Sequence, residues 1–512
     1  MKKTGIIESA FILTAAGLIT RVMGFVYRIY LSNAAGADGM GLYQMILPVY
    51  TLAWSIAASG FTTTISKIAA EDAARKEYRN ARRMFYVCVT LSAVLGFLLC
   101  GALYFGAEFV AANFFKDERV VLPLKILSAA FPFMAAGSCV RGYFFGMQES
   151  RVPAVNQVLE QAVRMAVIYL LAGYFIPRGL AYTCALCVLG IVAEEIFSFV
   201  YIAICYKVKF GKTIKDKQAK LRSYRETLRI VGRSAIPLGA SRIVSSLLGA
   251  VENVLLPAKL AVYAGAGALA SFGQMSGMAM PLIYFPSAFL ISLSLSLVPV
   301  ISESVAVKNR AKTEYTVART VMFALILGIG CSALFMVFCR ELGSVIYNQD
   351  ISQTLFTLGM LCPFLYVQMS VSGVLNGLGE QAFIFRSNLL SSAINIGFIY
   401  FLVPLRGMNG FVFGWFTTLL ILVCLSLEKL RKTASLRLDV LNWVAKPLMA
   451  AFAAALCLRV LIMPSLFGIA GQKLGLAVLL ILYAAFYLIL IIVTQCVSKT
   501  DMLYIRKKMH LA

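Results

Sequence analysis

Residues 474–497 read LGLAVLLILYAAFYLILIIVTQCV, a run of 24 residues without one charged side chain. A helix rises 1.5 Å per residue, so about 20 mostly apolar residues cross the roughly 30 Å hydrocarbon layer of a membrane. Thirteen further runs of this kind lie upstream, at about 6–31, 43–70, 84–112, 120–145, 154–175, 181–206, 230–257, 272–301, 319–345, 353–378, 384–404, 408–428 and 443–465. The sequence therefore predicts an all-α membrane protein with about 14 transmembrane helices.

The composition agrees with this prediction and excludes an ordinary soluble protein. Of the 512 residues, 60% are hydrophobic and only 14% are charged, whereas soluble domains contain about 25% charged residues. The formal net charge is +24, but the basic side chains lie in short gaps between apolar runs. Because no separate basic domain is left over, we expect no nucleic-acid partner.

Histidine and cysteine usage limits the chemistry of the chain. The only histidine is His510, and the 12 cysteines lie in apolar runs, where buried thiols behave as small hydrophobic groups. Cys184 and Cys187 have redox or metal spacing, but no second pair accompanies them. The sequence contains neither a Walker loop nor a zinc signature. We therefore expect a protein that is not an enzyme and that binds no metal or cofactor.

The charges of the loops predict the orientation. With the N-terminus placed in the cytoplasm, 32 Lys and Arg residues fall on the cytoplasmic side and 7 on the other. Basic loops stay inside, so we expect a multi-pass protein of the cell membrane with both termini cytoplasmic. The most basic segment, 207–229, is expected to contact anionic lipids of the inner leaflet.

The chain also repeats itself. Residues 142–149 (GYFFGMQE) resemble residues 373–380 (GVLNGLGE) at an offset of 231, and Gln44 precedes Gln274 by 230. Six helices per repeat give both halves one orientation. We therefore predict two like-oriented six-helix bundles around a central cavity, plus two extra C-terminal helices. The corresponding domains are an N-terminal lobe with its linker (1–228), a C-terminal lobe (229–432) and helices 13 and 14 with a basic tail (433–512).

Charged and polar residues inside the predicted spans are the candidate site. A charge near the bilayer centre costs at least ~2.5 kcal/mol on insertion scales, so it usually faces a cavity or a partner. The candidates lie on predicted helices 1, 2, 5, 7 and 8: Arg21, Tyr27, Arg28, Gln44, Glu160, Arg164, Arg242, Glu252, Asn253 and Gln274.

Several of these charges have a second interpretation. Arg28 could pair with an acidic neighbour, and Glu160 could neutralise Arg164 one helical turn away. Glu194 and Glu195 could form a cation or proton site, or could serve as ion-pair partners within one bundle. Arg141 is expected to extend its charge to the cytoplasmic surface.

Arginines in a membrane cavity favour a phosphate-bearing substrate. Guanidinium groups bind phosphate through forked, charge-assisted hydrogen bonds, which offset the desolvation of an anion. The longest cytoplasmic connection, 207–229, is too short and too basic to fold into an ATPase. Transport would therefore be coupled to Na⁺, to H⁺ or to the membrane potential, which yields ~2.3 kcal/mol per charge per 100 mV.

Residues 20–28 (TRVMGFVYR) and 36–43 (GADGMGLY) resemble the start of the stage V sporulation protein B family. Residues 141–146 (RGYFFG), 157–164 (QVLEQAVR) and 177–180 (PRGL) are similar to the same family. That family belongs with the lipid II and O-antigen flippases, in the polysaccharide biosynthesis (Wzx-like) branch of the multidrug/oligosaccharidyl-lipid/polysaccharide (MOP) exporter superfamily.

The resemblance implies a flippase that moves a lipid-linked oligosaccharide to the outer leaflet by alternating access, in peptidoglycan, spore cortex or polysaccharide synthesis. It also implies that the isoprenoid tail stays in the bilayer beside helices 13 and 14. Arg21 matches an arginine that lines the cavity of lipid II flippases. Arg28 stands one residue later than their second arginine, and Leu47-Pro48 is not followed by the arginine they carry. Lipid II and other undecaprenyl-linked oligosaccharides both fit, and any protein partners are expected among cell-wall synthesis proteins.

Alternative functions would depend on other residues of the chain. A cation-coupled drug or metabolite exporter would depend on Glu160, Glu194 and Glu252 rather than on the arginines. A membrane-bound acyl- or glycosyltransferase is disfavoured by the single histidine and by the lack of a catalytic loop domain. A non-transporting assembly scaffold is the remaining alternative.

Overall fold

The computed structural model describes residues 6–211, 221–434, 436 and 439–496, and these ranges form helices and no strands. Ten of the helices are long and apolar enough to cross a membrane, or 12 if each of two bent pairs forms one span. The predicted all-α membrane class is therefore confirmed, and the count of 14 spans stays a prediction. The centre of the basic linker, 212–220, and the basic tail with His510 lie outside the described residues.

The chain divides into two compact units. The first unit ends at Gly273 and also contains Ile399–Gly407. Its helices are α1 (Ile6–Trp54), α2 (Gly60–Ala74), α3 (Tyr78–Val110), α4 (Val121–Ser128), α5 (Phe131–Gly146), α6 (Arg151–Phe175), α7 (Leu180–Phe210), α8 (Tyr224–Ala264) and α9 (Ala268–Gly273). Helix α8, assigned to the second lobe from sequence, packs on α1, α2 and α3 within this unit. The lobe boundary near residue 229 stays a prediction.

The second unit comprises Gln274–Phe398 and continues from Met408. The helices that contribute to it are α10 (Met280–Ala306), α11 (Arg310–Val337), α12 (Cys339–Tyr347), α13 (Ser352–Gly359), α14 (Cys362–Gly377), α15 (Gln381–Phe401), α16 (Val403–Ala434), α17 (Lys446–Cys457) and α18 (Met463–Val493). Short π-helical turns occupy Ser55–Ser59, Ala111–Phe115, Gln274–Ala279, Leu441–Ala445 and Leu458–Ile462.

Helix α1 consists of two helical segments joined by a kink at Gly36. This residue has φ 68° and ψ −177°, a conformation that is open to glycine and costly for residues with a Cβ atom. The chain turns there without a long loop. Predicted helix 1 therefore corresponds to the part of α1 before Gly36, and predicted helix 2 to the rest of α1 together with α2.

A broken span occurs at the same place in each half of the sequence. Helices α4 and α5 meet at 45°, and helices α13 and α14 meet at 52°. The paired helices have equal lengths of 8 and 16 residues. Pro132 and Pro363 stand at the second position of α5 and α14, where a proline needs no backbone donor and disfavours helix in the residue before it. The equal lengths and the offset of 231 support an internal repeat.

At each break, the backbone packs directly against a glycine of the neighbouring helix. A Cβ atom on Gly96 of α3 would lie 2.8 Å from the Phe131 carbonyl oxygen and 2.9 Å from the Cα atom of Pro132. A Cβ atom on Gly328 of α11 would lie 2.7 Å from the Cα atom of Pro363. Backbones therefore touch at both sites, as small residues allow in membrane helix packing.

The outer surface is apolar, as a lipid environment requires. Phe105 is 87% exposed and Leu170 is 76% exposed, and many other large hydrophobic side chains share this exposure. So many exposed large hydrophobic side chains are unusual on a soluble monomer. The exposure therefore agrees with a multi-pass membrane protein.

We predict that Gly96→Ala lowers the free energy of unfolding by about 1–3 kcal/mol, because the new methyl group would overlap the backbone of the α4–α5 break. The measurement is chemical or thermal unfolding of the purified protein in detergent. Gly101→Ala on the same helix is the control, since its Cβ atom would meet nothing within 4 Å. Equal stability of the two variants would contradict the close contact.

Candidate functional site

The first candidate element is the polar side of α1. Thr20 accepts a hydrogen bond from Gln157 Nε2 of α6 at 3.3 Å and donates to the Ala16 carbonyl at 3.0 Å. A Cβ atom on Gly24 would lie 3.8 Å from the Nε2 atom of Gln161, which is also on α6. The small and polar residues of α1 therefore face α6, as their helical spacing suggests.

Arg21 and Arg28 are the two candidate charges of α1. Arg21 is exposed and Arg28 is half-buried. Among the described residues, neither guanidinium forms an ion pair, so the pairing considered for Arg28 is absent from this part of the chain. Tyr27, between them, is only 5% exposed, and its hydroxyl has no hydrogen-bond partner among the described residues.

Glu160 belongs to a network that joins α5, α6 and α7. Its Oε1 atom accepts hydrogen bonds from Arg141 Nη1 at 2.5 Å, from Asn156 Nδ2 at 2.7 Å and from Ser198 Oγ at 2.5 Å. The side chains of Arg141 and Glu160 are each about one-fifth exposed. Arg141 was expected to reach the cytoplasmic surface, and this expectation was wrong, because Glu160 supplies a counter-charge inside the unit.

Arg164 pairs with Glu194 of α7 through two hydrogen bonds, one of them from Nε to Oε2 at 2.5 Å. The alternative of an ion pair between Glu160 and Arg164 was therefore wrong. One helical turn does separate them on α6, but α5 and α7 each supply a closer partner. Of the two interpretations of Glu194, the structure supports an ion-pair partner.

Glu195 is also buried and has no basic partner in hydrogen-bond contact among the described residues. It is 6% exposed and accepts a hydrogen bond from Tyr50 Oη of α1 at 2.5 Å. Its second oxygen, Oε2, is buried without a hydrogen-bond partner. These three hydrogen-bonded groups of the first unit thus contain two guanidinium groups and three carboxylates.

Helix α8 brings further candidates to the same unit. The guanidinium of Arg242 lies 5.7 Å from the ring centroid of Trp54, within the range of a cation–π contact. Trp54 Nε1 donates to Ser138 Oγ at 3.3 Å, and Arg141 Nη2 donates to that same oxygen at 3.0 Å. The exposed Arg242 is thereby connected to the Arg141–Glu160 network through one aromatic ring and one hydroxyl.

The other polar candidates lie on α1, on α8 and at the start of the second unit. Asn253 donates to the Gly249 carbonyl at 2.8 Å, one turn away on α8, and Glu252 beside it is half-buried. Gln44 is half-buried on α1, and Gln274 is the first residue of the second unit. In the first unit, Glu160 and Arg242 are thus connected through groups that were not selected from sequence, and Arg164 is paired separately with Glu194.

Sequence reasoning missed Tyr50, Ser198 and the true role of Arg141. Ser198 follows Glu194 by four residues, and Arg141 follows Ser138 by three, so both pairs share a helical face. This spacing could have marked them as members of a polar network. Tyr50 carries no such signal, because its partner Glu195 lies 145 residues away.

Comparison with known proteins identifies the family. A model of the polysaccharide biosynthesis protein family matches residues 6–305, and a MatE model matches residues 237–401. The first match covers more than half of the 512 residues. The chain belongs to the polysaccharide biosynthesis protein family.

Relatives of this family member include two proteins of Bacillus subtilis (strain 168). It is 28% identical to Stage V sporulation protein B over 98% of both chains. It is 32% identical to the Lipid II flippase MurJ over 33% of this chain and 32% of the flippase. The first similarity spans the whole fold and confirms the resemblance found in the motifs.

A solved structure shares the fold of this family member. It is the inward-facing conformation of a multidrug resistance MATE family transporter of the MOP superfamily, with a TM-score of 0.67 and 16% identity. The match covers 83% of this chain and 98% of that transporter. The chain therefore has the fold of that membrane transporter.

We predict that Glu194→Gln lowers the free energy of unfolding by about 3 kcal/mol, since Arg164 would keep a largely buried charge without a counter-charge. Unfolding in detergent measures this effect. The double variant Arg164→Met/Glu194→Leu removes both charges and should recover most of the loss.

Glu108→Gln is the matched control, because its ion pair with Lys125 is exposed and exposed pairs contribute little. If Glu194→Gln and Glu108→Gln unfold alike, the buried pair does not stabilise the unit.

Proposed function

We propose that this chain is a flippase that carries a lipid-linked sugar diphosphate from the inner to the outer leaflet of the cell membrane. The substrate class is lipid II or a related undecaprenyl-linked oligosaccharide. The sugar diphosphate headgroup would bind against the arginines of α1 while the isoprenoid chain stays in lipid. For net transport, the headgroup site must open to each side of the membrane in turn.

The observation that carries this proposal is the contrast between two sets of arginines. Arg141 and Arg164 are held by carboxylates, whereas Arg21 and Arg28 have no ion-pair partner among the described residues. A guanidinium in an apolar setting without a counter-charge is poised for an anion, and diphosphate suits its forked geometry. The partial similarity to a lipid II flippase supports the same substrate class.

The distribution of carboxylates argues against a cation-coupled exporter as the first choice. Such a protein would use Glu160 and Glu194 to bind its coupling ion. Both side chains instead accept hydrogen bonds from arginines. A cation that bound there would have to displace those guanidinium groups, which is costly in a low-dielectric site.

Transport can proceed without an ATPase domain if the membrane potential drives it. Outward movement of an anion from a cell with a negative interior gains ~2.3 kcal/mol per charge per 100 mV. A diphosphate headgroup carries more than one negative charge, so the gain is correspondingly larger. Coupling to Na⁺ or H⁺ would add to this driving force.

We predict that Arg21→Ala and Arg28→Ala each slow flipping of labelled lipid II in proteoliposomes by about tenfold or more, because each removes charge-assisted hydrogen bonds to the diphosphate. Lysine at either position should retain part of the rate, since it keeps the charge and loses the fork. The measurement is the accessibility of the labelled headgroup from outside the vesicle over time.

Arg178→Ala is the control. It removes one positive charge from the same unit, at a guanidinium that stacks 3.5 Å from the ring centroid of Tyr174, and its flipping rate should stay near that of the wild type. Wild-type rates in both α1 variants would refute the proposed site. If Glu252→Gln then abolished cation-dependent export of a small molecule, the exporter would be the better explanation.

A further inference from the structure

A second feature of the first unit is a long apolar groove with a basic end. It lies between α1, α3 and α8 and encloses about 700 Å³, within the range of small-ligand sites. Its apolar lining includes Val49, Leu52, Leu103, Val110, Leu247 and Val254. The groove lining includes neither the arginines of α1 nor the ion-paired residues of α5, α6 and α7.

The groove is long enough for a lipid chain. Along α8 its lining runs from Leu247 to Val262, which corresponds to about 22 Å at 1.5 Å per residue. One leaflet contributes about half of the roughly 30 Å hydrocarbon layer. The groove along α8 is therefore long enough to hold the whole acyl chain of a lipid in one leaflet.

Two lysines, Lys116 and Lys259, also line the groove. Lys116 is exposed and follows the π-helical turn at the end of α3. Lys259 is half-buried near the end of α8, and its Nζ atom lies 3.8 Å from the ring centroid of Tyr400. No acidic residue is among the described residues that line the groove, so these charges are not neutralised within it.

Both lysines lie toward the same end of the helices. The chain is held together near the starts of α3 and α8, because the Arg222 backbone N–H donates to Asn80 Oδ1 at 3.0 Å and the Arg83 guanidinium lies 4.3 Å from the Tyr224 ring centroid. The two helices therefore start at one side and end at the other. The groove thus has an apolar length along α8 and two ammonium groups near the C-terminal ends of α3 and α8.

We infer that this groove binds an anionic glycerophospholipid, with its phosphate at Lys116 and Lys259 and an acyl chain along α8. Charge complementarity selects this occupant, because two lysines without a carboxylate favour a lipid of net negative charge over a zwitterionic one. The contact with Tyr400 stabilises the Lys259 ammonium group at the groove. This inference is independent of the proposed transport activity.

The test uses photoreactive phosphatidylglycerol and phosphatidylcholine probes, each with a diazirine in the acyl chain, in nanodiscs made of phosphatidylcholine. We expect phosphatidylglycerol to label peptides that contain residues 103–114 and 247–262, and to do so about tenfold more than phosphatidylcholine. Lys116→Gln/Lys259→Gln should reduce phosphatidylglycerol labelling to the level of phosphatidylcholine. Ala250→Trp, which fills the groove, should reduce labelling by both probes.

The control is Lys67→Gln/Lys76→Gln, which removes the same charge from residues outside the groove lining and should leave labelling unchanged. Unfolding in detergent verifies that each variant is folded. Equal labelling of the wild type by both probes would overturn the inference. Unchanged phosphatidylglycerol labelling in Lys116→Gln/Lys259→Gln would also overturn it, as would displacement of the probe by an equimolar polyprenyl phosphate.

Discussion

The cost of an unpaired charge in hydrocarbon is the constraint on which the first unit depends. Water is absent there, so the backbone satisfies its polar groups by forming helices, and buried ionic side chains need partners. Arg141 and Glu160 join α5 to α6, and Arg164 and Glu194 join α6 to α7. These pairs fix which faces of the three helices meet, because rotation of any one helix about its axis would leave a buried charge without its partner.

The same constraint gives meaning to the charges that are not paired. Arg21 is exposed on α1, and the described residues offer it no carboxylate. A membrane protein that keeps such a group needs another source of negative charge, and a phosphate-bearing ligand is one. Arg242 occupies an intermediate position, because Trp54 and Ser138 connect it to the paired network. The proposed ligand-binding arginines and the buried ion pairs thus follow from the same constraint.

The two halves of the internal repeat have the same backbone packing but different charged residues. Gly96 and Gly328 receive equivalent helix breaks, yet at the offset of 231 Arg141 corresponds to Ser372 and Arg164 to Asn395. Asn395 accepts a neutral hydrogen bond from Thr418 at 2.9 Å. A glycine contact is retained because a methyl group there would collide with backbone. Charges can be exchanged for neutral polar groups if both partners change together, and the two halves therefore differ in their electrostatics.

The sequence by itself determined the membrane class, the repeat and the position of the candidate charges, because apolar runs, offsets and helical spacing are properties of order along the chain. Only the tertiary structure decided which charges pair. Glu160 and Arg164 share one face of α6, and spacing alone favours their pairing, but Arg141 and Glu194 approach from other helices and bind them instead. Partners that are distant along the chain meet through helix packing, which local periodicity does not encode. For the same reason, the apolar groove with Lys116 and Lys259 exists only where α1, α3 and α8 come together.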